Sequence, residues 1–310
     1  MSIPSSAPQI DILMATYNGA EFLAAQIRSL QSQTFTDWRL IVHDDGSTDG
    51  TVDLVRRFMA QDSRILLADD GLQFHGPALN FMHLLTLSDA PFAIFCDQDD
   101  IWLEDKLQAM YDVMAKLDQT KPQMAYSNSY VYDMQTGDIS GYATLWHPTQ
   151  LRETLFANAG VQGCALMMNA ALRDVCLRVP EKVAMHDHTV TLAALTFGQV
   201  TYVDRRLMLY RRHSLAVTGA TYKNRLERFT HFFARGKSVI DRKHLEAIRS
   251  FCMTYADVMP ADKQAVFDDF FRFTREGRIR NLWHAFSGGY RLFGRRSILL
   301  VKILLRPMLN

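Results

Sequence analysis

Residues 10–19 read IDILMATYNG, an apolar run that ends in three polar residues and a glycine. The run is short and apolar apart from Asp11, and a short apolar run favours a buried strand. Residues 21–33 follow with apolar positions at helical spacing. The alternation repeats, which predicts further strands at 39–43, 65–67 and 92–96 and further helices after residue 49, from Pro77 and at 103–117. Such alternation is typical of a parallel sheet with helices on both faces.

Three of these predicted strands end in polar residues. Thr16, Tyr17 and Asn18 follow the first, residues 44–47 (DDGS) follow the second, and residues 97–100 (DQDD) follow the fourth. Parallel strands end at a common edge, and ligands of such sheets bind beyond the carboxyl ends of the strands. The sequence therefore predicts a polar binding site along this edge.

The rest of the chain divides into two regions that differ in predicted secondary structure. Residues 124–212 mix strands with helices, and Asn169 and Asp187 are the predicted caps of two helices. Short separate strands are predicted at 200–203 and 207–210. The predicted organisation is a disordered leader at 1–8, an α/β domain at 9–220 and a helical C-terminal region at 221–310.

Composition excludes several classes of protein. The chain is 48% hydrophobic, enough for a large core, and its 34 Lys and Arg balance 33 Asp and Glu. Without a basic excess, no nucleic-acid partner is expected. The four cysteines form no Cys-x-x-Cys pair, so neither a zinc ribbon nor a disulfide framework is expected. The opening lacks the features of a signal peptide, and the expected location is the cytoplasm.

The acidic segment after the fourth strand carries Asp97, Asp99 and Asp100. Carboxylates this close repel one another unless a cation lies among them. A divalent metal that bridges a diphosphate would remove the repulsion and stabilise a phosphate leaving group. The alternative is a solvated loop in which an aspartate caps the next helix, which accounts for one acid but not for all three.

The second acidic segment, residues 44–51 (DDGSTDGT), combines turn residues with two adjacent acids. Its glycines allow a tight turn, and its Ser, Thr and Asp residues can cap the following helix. That interpretation leaves the pair Asp44 and Asp45 unexplained. A carboxylate here could accept the imide N–H of uracil or thymine.

Several segments resemble, in order, the motifs of the inverting glycosyltransferases of family 2. Residues 12–19 (ILMATYNG) and 41–49 (IVHDDGSTD) are similar to the opening of that family. Residues 95–107 (FCDQDDIWLEDKL) resemble the Asp-x-Asp segment of its bacterial rhamnosyltransferase-like branch. His186-Asp187 and residues 209–213 (LYRRH) resemble later motifs of that branch.

The resemblance covers roughly residues 9–219 and implies a GT-A fold, a Rossmann-like mixed α/β sheet covered by helices, here with a helical C-terminal appendage. It also implies a nucleoside-diphosphate sugar donor, a UDP- or dTDP-sugar, and inversion at the anomeric carbon. The positions that match donor-binding residues of the family are Ala15, Tyr17, Asp45, Asn80, Asp97 and Arg212. Of these, Asp45 would hold the pyrimidine, and Asp97 would lie near the ribose or the donor sugar.

The resemblance further implies a Mg²⁺ or Mn²⁺ ion and a catalytic base. Asp99 and His213 match the metal ligands, and Asp187 matches the base that deprotonates the acceptor hydroxyl. Residues 214–219 (SLAVTG) depart from the family pattern, which has an asparagine near residue 216 or 217. Any diphosphate contact from that loop is therefore not expected to follow the family.

Each of these side chains also has a simpler interpretation. Asp187 could be a plain helix cap, and His213 could be a loop histidine on a basic segment. His186 and His188 are interpreted as a surface pair with only weak likeness to a metal site. Aromatic residues have two interpretations as well, since Trp102 and Trp146 could stack on an acceptor sugar or serve as core packing.

The C-terminal segment 275–310 holds eight Arg or Lys residues and a single acid, Glu276. Gly288-Gly289 is expected to interrupt it, and four aromatic residues lie near one helical face, namely Trp283, Phe286, Tyr290 and Phe293. A basic, aromatic, amphipathic segment is typical of a helix in a membrane interface. The alternative is a helix packed on the α/β domain with its arginines in water.

Together these features predict an enzyme that transfers a sugar, with L-rhamnose favoured by the branch, to a lipid-linked saccharide acceptor in bacterial surface polysaccharide synthesis. Three other classes compete with that interpretation. A sugar nucleotidyltransferase or a dehydrogenase would need a glycine-rich loop after the first strand, where this chain has Tyr17-Asn18-Gly19. A non-catalytic sugar-nucleotide-binding module is also compatible with the composition.

Overall fold

The computed structural model describes residues 8–157, 160–213 and 238–309. Within these ranges the strands are β1 (Ile10–Thr16), β2 (Trp38–Asp44), β3 (Ile65–Ala68), β4 (Phe92–Asp97), β5 (Ile101–Trp102), β6 (Gln123–Asp133), β7 (Ile139–Ser140), β8 (Leu166–Asn169) and β9 (Gln199–Arg212). They form one mixed sheet in the order β3-β2-β1-β4-β8-β6-β9-β5, and β7 pairs with β6 at the side.

The helices of the same ranges are α1 (Ala20–Gln31), α2 (Thr51–Met59), α3 (Pro77–Thr86), α4 (Lys106–Met114), α5 (Ala170–Cys176), α6 (His186–Phe197), α7 (Arg242–Thr254), α8 (Ala261–Arg272), α9 (Arg278–Ser287) and α10 (Arg296–Leu305). Buried side chains of α1, α2 and α4 pack on one face of the sheet. Those of α3, α5 and α6 pack on the other face. The predicted covering of both faces is confirmed.

The first four predicted strands are confirmed, with β3, β2, β1 and β4 all parallel. Their register aligns the polar ends, because Thr16 pairs with Asp44 and Ala15 pairs with Asp97. The predicted convergence of polar residues at one edge of the sheet therefore has a direct structural basis.

The second half of the sheet departs from the sequence prediction. β8 runs antiparallel to both β4 and β6. The two short strands predicted at 200–203 and 207–210 are one continuous strand, β9, which runs parallel to β6 with two register shifts. The polar residues between them do not break the strand, since Arg205 is exposed and the Arg206 guanidinium lies 4.3 Å from the centre of the Tyr130 ring.

The C-terminal helices share a hydrophobic core with the sheet domain. The ring of Phe156 packs edge-on against Phe270, Phe273 and Tyr290, at centroid distances of 5.3, 5.0 and 5.7 Å. The predicted leader at 1–8, apart from Pro8, and the predicted boundary near residue 220 lie outside the described residues. The division into domains stays a prediction.

The interruption predicted at Gly288-Gly289 is confirmed, because α9 ends at Ser287 and α10 begins at Arg296. One detail of the predicted helical face was wrong. Tyr290 is fully buried, and its hydroxyl donates to the Asp269 carboxylate at 2.9 Å, so it does not share the surface of Trp283. In the part of the chain that the structure describes, none of the helices is long and apolar enough to cross a bilayer.

Candidate active site

A cleft of about 850 Å³ opens at the carboxyl edge of β1, β2 and β4. Every site residue predicted from the sequence lines it, namely Ala15, Tyr17, Asp45, Asn80, Asp97, Asp99, Asp187, Arg212 and His213. Their positions span most of the α/β domain, and the fold brings them to one cavity. The tail of the last motif, residues 214–219, lies outside the described residues.

The two adjacent acids at the end of β2 have different tasks. Asp44 closes the turn, because its carboxylate accepts from the Thr16 hydroxyl at 2.8 Å and from the Ser47 N–H at 2.7 Å. Gly46 follows with φ +87°, a left-handed conformation that glycine adopts without strain. Asp44 is therefore part of the scaffold, which leaves the neighbouring acid for the cleft.

Asp45 is buried and anchors the loop before α3. Its carboxylate accepts from the backbone N–H groups of Phe74, His75 and Gly76, at 2.5, 3.1 and 2.7 Å. A carboxylate can accept roughly four hydrogen bonds, so one site remains for a ligand. His75 and Gly76 also line the cleft, and Asp45 thus sets the position of a cleft wall.

Gln98 fastens the end of β1 to the acidic segment. Its side-chain amide accepts from the Tyr17 N–H at 3.0 Å and donates to the Tyr17 carbonyl at 2.9 Å. The close approach requires Gly19, where a Cβ would lie 2.1 Å from the Gln98 Oε1. The Tyr17 ring itself is 58% exposed and free to cover a ligand.

Asp99 and His213 meet across the cleft floor, with the His213 Nε2 2.7 Å from the Asp99 Oδ2. The imidazole lies against the Phe22 ring at a centroid distance of 4.3 Å. Its Nδ1 is buried and has no hydrogen-bond partner among the described residues. A carboxylate oxygen is a ligand that suits Mn²⁺ or Mg²⁺, and the imidazole nitrogen is a second ligand open to a transition metal such as Mn²⁺.

A buried network of charges lies behind Asp99. Burial, and next the charge of Asp99, raise the pKa of Asp97 to about 7. Asp100 is buried as well, and its pKa is raised well above the usual range by that burial. The compensating cation is Lys106, whose ammonium is fully buried, donates to the Cys164 carbonyl at 2.6 Å and has a pKa lowered to about 8 by burial.

The capping alternative for this acidic segment is wrong. Helix α4 begins at Lys106, and the side chain of its N-cap residue, Asp105, makes no capping hydrogen bond. The N–H of Leu107 is instead accepted by the Gln33 Oε1 at 2.9 Å. The acids are instead directed inward, and one ligand atom each of Asp97, Asp100 and Cys164 lies within 4.8 Å of the others. The local excess of negative charge is consistent with a cation in the cleft.

Arg211, which the sequence interpretation missed, holds the end of β9 against the acidic segment. Its backbone N–H donates to the Asp100 Oδ1 at 3.3 Å, and its guanidinium donates to the carbonyls of Asp100 and Phe22 at 3.0 and 3.3 Å. The next residue, Arg212, is exposed and also lines the cleft.

Asp187 lies in the first turn of α6 rather than at its cap, so the capping prediction was wrong. The helix begins at His186 with Met185 as its N-cap residue. The Asp187 carboxylate is buried at the cleft wall and accepts from the His188 N–H at 2.6 Å.

The histidines on either side of Asp187 are buried, so the interpretation of a surface pair was wrong. His186 packs on Phe81 at a centroid distance of 4.1 Å, and burial lowers its pKa to about 3. A Cβ on Gly163 would lie 2.3 Å from its Nε2, which explains the glycine. His188 points away from the cleft and stacks on His244 at 4.5 Å.

The two tryptophans follow the packing interpretation. Trp102 is buried, and the Lys106 ammonium lies 3.6 Å from the centre of its ring. Trp146 packs on the C-terminal region, because a Cβ on Gly294 would lie 2.0 Å from its Cδ1. Neither lines the cleft.

The fold is that of the GT-A glycosyltransferases. The structure resembles S. aureus TarS (residues 1–349) in complex with UDP-GlcNAc, with a TM-score of 0.59 at 16% identity over 85% of this chain and 71% of that chain. It also resembles the mannosyltransferase PcManGT from Pyrobaculum calidifontis in complex with GDP-Man and Mn²⁺, with a TM-score of 0.52 at 16% identity over 97% of this chain and 88% of that chain. These similarities concern the fold alone.

The chain belongs to glycosyl transferase family 2, whose family model matches residues 11–176. It is 28% identical over 229 residues to dTDP-rhamnosyl transferase RfbG of Shigella flexneri, a match that covers 67% of this chain and 74% of RfbG. It is 36% identical over 108 residues to the Escherichia coli UDP-Glc:alpha-D-GlcNAc-diphosphoundecaprenol beta-1,3-glucosyltransferase WfgD, covering 34% of this chain and 41% of WfgD. The relatives are enzymes of bacterial polysaccharide biosynthesis, as the sequence predicts.

Proposed function

We propose that the chain is an inverting glycosyltransferase that moves a sugar from a UDP- or dTDP-sugar to a lipid-linked saccharide acceptor of a bacterial surface polysaccharide. The observation that carries the proposal is the convergence of Asp45, Asp99 and Asp187 on one cleft. These acids suit three separate tasks, namely recognition of the base, binding of the diphosphate and deprotonation of the acceptor.

The nucleotide end of the cleft is formed by β1 and β2. Asp45 keeps one acceptor site for the imide N–H of a pyrimidine, while its other sites hold the loop at 74–76. Ala15 and the exposed Tyr17 ring give the base an apolar surface on which to pack. Asn80 and Asp97 lie deeper in the same cleft, where they would contact the ribose or the donor sugar.

The residues at the cleft floor fit a divalent cation, because the Asp99 carboxylate and the His213 Nε2 lie 2.7 Å apart and both residues line the cleft. A Mg²⁺ or Mn²⁺ ion held by Asp99 and His213 would neutralise charge on the leaving nucleoside diphosphate. Arg212 would add a cationic side chain to the same region of the cleft.

Inversion requires a single displacement, and so one base on the acceptor side of the anomeric carbon. Asp187 suits that task because its carboxylate lies at the cleft wall, where an acceptor hydroxyl can reach it. It would accept the proton of the acceptor hydroxyl as that oxygen attacks. Neutral His186 and Phe81 border the same wall and would limit access of water to it.

The relatives support the substrate classes. RfbG is named as a dTDP-rhamnosyl transferase, which favours L-rhamnose as the donor sugar. WfgD is named for a UDP-glucose donor and a diphosphoundecaprenol-linked acceptor. Both relatives are thus named for a donor with a pyrimidine nucleotide, which agrees with the proposed task of Asp45. WfgD is also named for a polyprenyl-linked acceptor.

A nucleotide-sugar panel tests the proposal. A ligand that binds only the native state raises the melting temperature. A UDP-sugar or a dTDP-sugar with Mn²⁺ should therefore raise it, and the gain in the free energy of unfolding should be about 2.7 kcal/mol at a hundredfold excess over Kd. GDP- and ADP-sugars are the matched controls and should have little effect. A sugar nucleotidyltransferase would instead turn over a nucleoside triphosphate with a sugar 1-phosphate, and that result would contradict the proposal.

The proposal includes a peripheral site at the inner face of the cytoplasmic membrane, where a lipid-linked acceptor is found. The C-terminal helices leave an apolar surface exposed, with Ile279 at 85%, Trp283 at 67% and Leu304 at 53% exposure. Arg296 of α10 lies 5.2 Å from the ring of exposed Phe286, so a cationic and an aromatic side chain lie side by side here. That combination suits anionic lipid.

Point substitutions test the membrane contact without removing the core residues Tyr290 and Ile303. The double substitution Ile279→Ser and Trp283→Ser should weaken co-sedimentation with phosphatidylglycerol vesicles by at least about tenfold at low salt. Met253→Ser, at an equally exposed apolar position on α7, is the control. Equal binding by the double variant and the wild type would remove these helices from the proposal.

A further inference from the structure

A second cluster of ligating side chains lies behind the loop that borders the cleft. His43 near the end of β2, Asp70 in the following loop and His83 in α3 converge on one point. The Asp70 carboxylate lies 3.2 Å from the His43 Nε2 and 2.7 Å from the His83 Nε2. One ligand atom of each residue lies within 4.8 Å of the other two.

The surroundings orient both imidazoles. The Phe74 ring packs against His43 and His83, at centroid distances of 5.6 and 5.0 Å, and covers one side of the cluster. His43 is buried, whereas Asp70 is 32% exposed and leaves the cluster open to solvent on the other side. The cluster is therefore rigid on the protein side and accessible to an ion from solution.

The hydrogen bonds of His43 indicate which of its nitrogens faces Asp70. The Asn80 amide donates to the His43 carbonyl at 3.4 Å, so its oxygen is the atom that lies 2.8 Å from the His43 Nδ1. Nδ1 therefore carries the proton, and the Nε2 of the neutral ring presents a lone pair to the Asp70 carboxylate. Two acceptors at this distance repel one another unless a cation lies between them.

The Asp70 carboxylate is held in place beside the two imidazoles, because it also accepts from the Leu72 N–H at 3.0 Å. The cation can be a second proton on an imidazole or a metal ion. The histidine orientation favours a metal, because ligating imidazoles are typically fixed by a hydrogen bond from the other ring nitrogen to a carbonyl oxygen, as Asn80 provides here.

We propose that His43 Nε2, His83 Nε2 and the Asp70 carboxylate form a second metal site, selective for Zn²⁺, with water as the fourth ligand. Two imidazoles and one carboxylate form a donor set that suits Zn²⁺ better than Mg²⁺ or Ca²⁺, which prefer oxygen ligands alone. None of the three ligands lines the cleft, so this site is separate from that of Asp99 and His213.

The site would fix the loop that shapes the nucleotide end of the cleft. Asp70 lies near the start of that loop, and Asp45 holds its other end through the N–H groups of residues 74–76. Asn80 links the two sites, because it contacts His43 and also lines the cleft. We therefore expect Zn²⁺ to tighten donor binding, an effect that rests on the proposed function, whereas zinc binding itself does not.

The test is calorimetric titration of the metal-stripped, nucleotide-free chain with ZnCl₂. Wild type and Asp99→Asn should each bind one equivalent, because Asp99→Asn alters only the other cation site. His83→Gln keeps an amide that can donate to Asp70 but removes the imidazole, and should weaken Zn²⁺ binding by at least about tenfold. Asp70→Asn serves as a second variant if His83→Gln does not fold. In both variants the circular dichroism spectrum should match that of the wild type.

Two results would overturn the site. The first is equal zinc affinity and stoichiometry in wild type, His83→Gln and Asp70→Asn. The second is absence of zinc binding together with a stability that falls as the histidines lose a proton, which would identify the cation as a proton. The zinc titration contains no nucleotide, so its result does not depend on the proposed function. A chain that binds zinc in this titration but binds no sugar nucleotide in the panel would contradict the proposed function and leave the zinc site intact.

Discussion

Replacing Asp187 with asparagine is expected to lower the turnover number by about 10²–10⁴-fold, the usual contribution of a positioned general base. The amide keeps the shape of the side chain and can still accept from the His188 N–H. It cannot accept the proton of an acceptor hydroxyl. Donor binding should stay within about twofold of the wild type, because the base acts on the acceptor side of the reaction.

Initial rates of sugar transfer, together with donor affinity from thermal shift, separate these two effects. Asp53→Asn is a suitable control, because it makes the same chemical change on the exposed surface of α2. If Asp187→Asn turns over at the wild-type rate, another group is the base. Loss of both transfer and donor binding would assign Asp187 a structural task at the start of α6.

The second large effect is expected from Asp99→Asn. The substitution removes a charged oxygen ligand, and the loss of metal affinity should be at least about 10–100-fold, the range found even for residues that only orient a ligand. Donor binding should then become insensitive to Mn²⁺ and fall to the level measured without metal. His213 would retain a hydrogen-bonding partner, since an amide oxygen also accepts.

Donor titrations with and without Mn²⁺ measure this coupling directly. Asp53→Asn again provides the control for a general loss of negative charge. If the donor affinity of Asp99→Asn still responds fully to Mn²⁺, Asp99 is not an essential metal ligand. The other acids of the segment, Asp97 and Asp100, would then be the candidates.

The part of the site that the sequence could predict is the part that depends on strand ends. Ala15 and Asp97 are paired across adjacent strands, and Asp45 follows Asp44 at the same edge. Parallel pairing alone brings such residues together, so an alternating pattern of strands and helices was sufficient. Asp187 and His213 required the resemblance to a family, because nothing local predicts that they share a cavity with the strand ends.

The residues that the sequence could not predict act through distant partners. Gln98 bonds to the backbone of Tyr17, which is 81 positions away, and Arg211 donates to the Phe22 carbonyl, 189 positions away. Neither contact leaves a periodic signal. His186 and His188 illustrate a further limit, because two polar residues in a helix can be buried on different sides when each finds an aromatic neighbour, as Phe81 and His244 show.

The hydrophobic core shared by the C-terminal helices and the sheet limits the rotation of these two parts relative to one another. Phe156 of the sheet domain packs against rings of the C-terminal helices, and Trp146 lies against Gly294, so no hinge separates the two parts at these points. Whatever surface holds α9 and α10 therefore also decides which way the cavity opens. If that surface is a bilayer, the height at which Asp187 stands above the lipid is constant, and only acceptors whose growing end reaches that height can be extended.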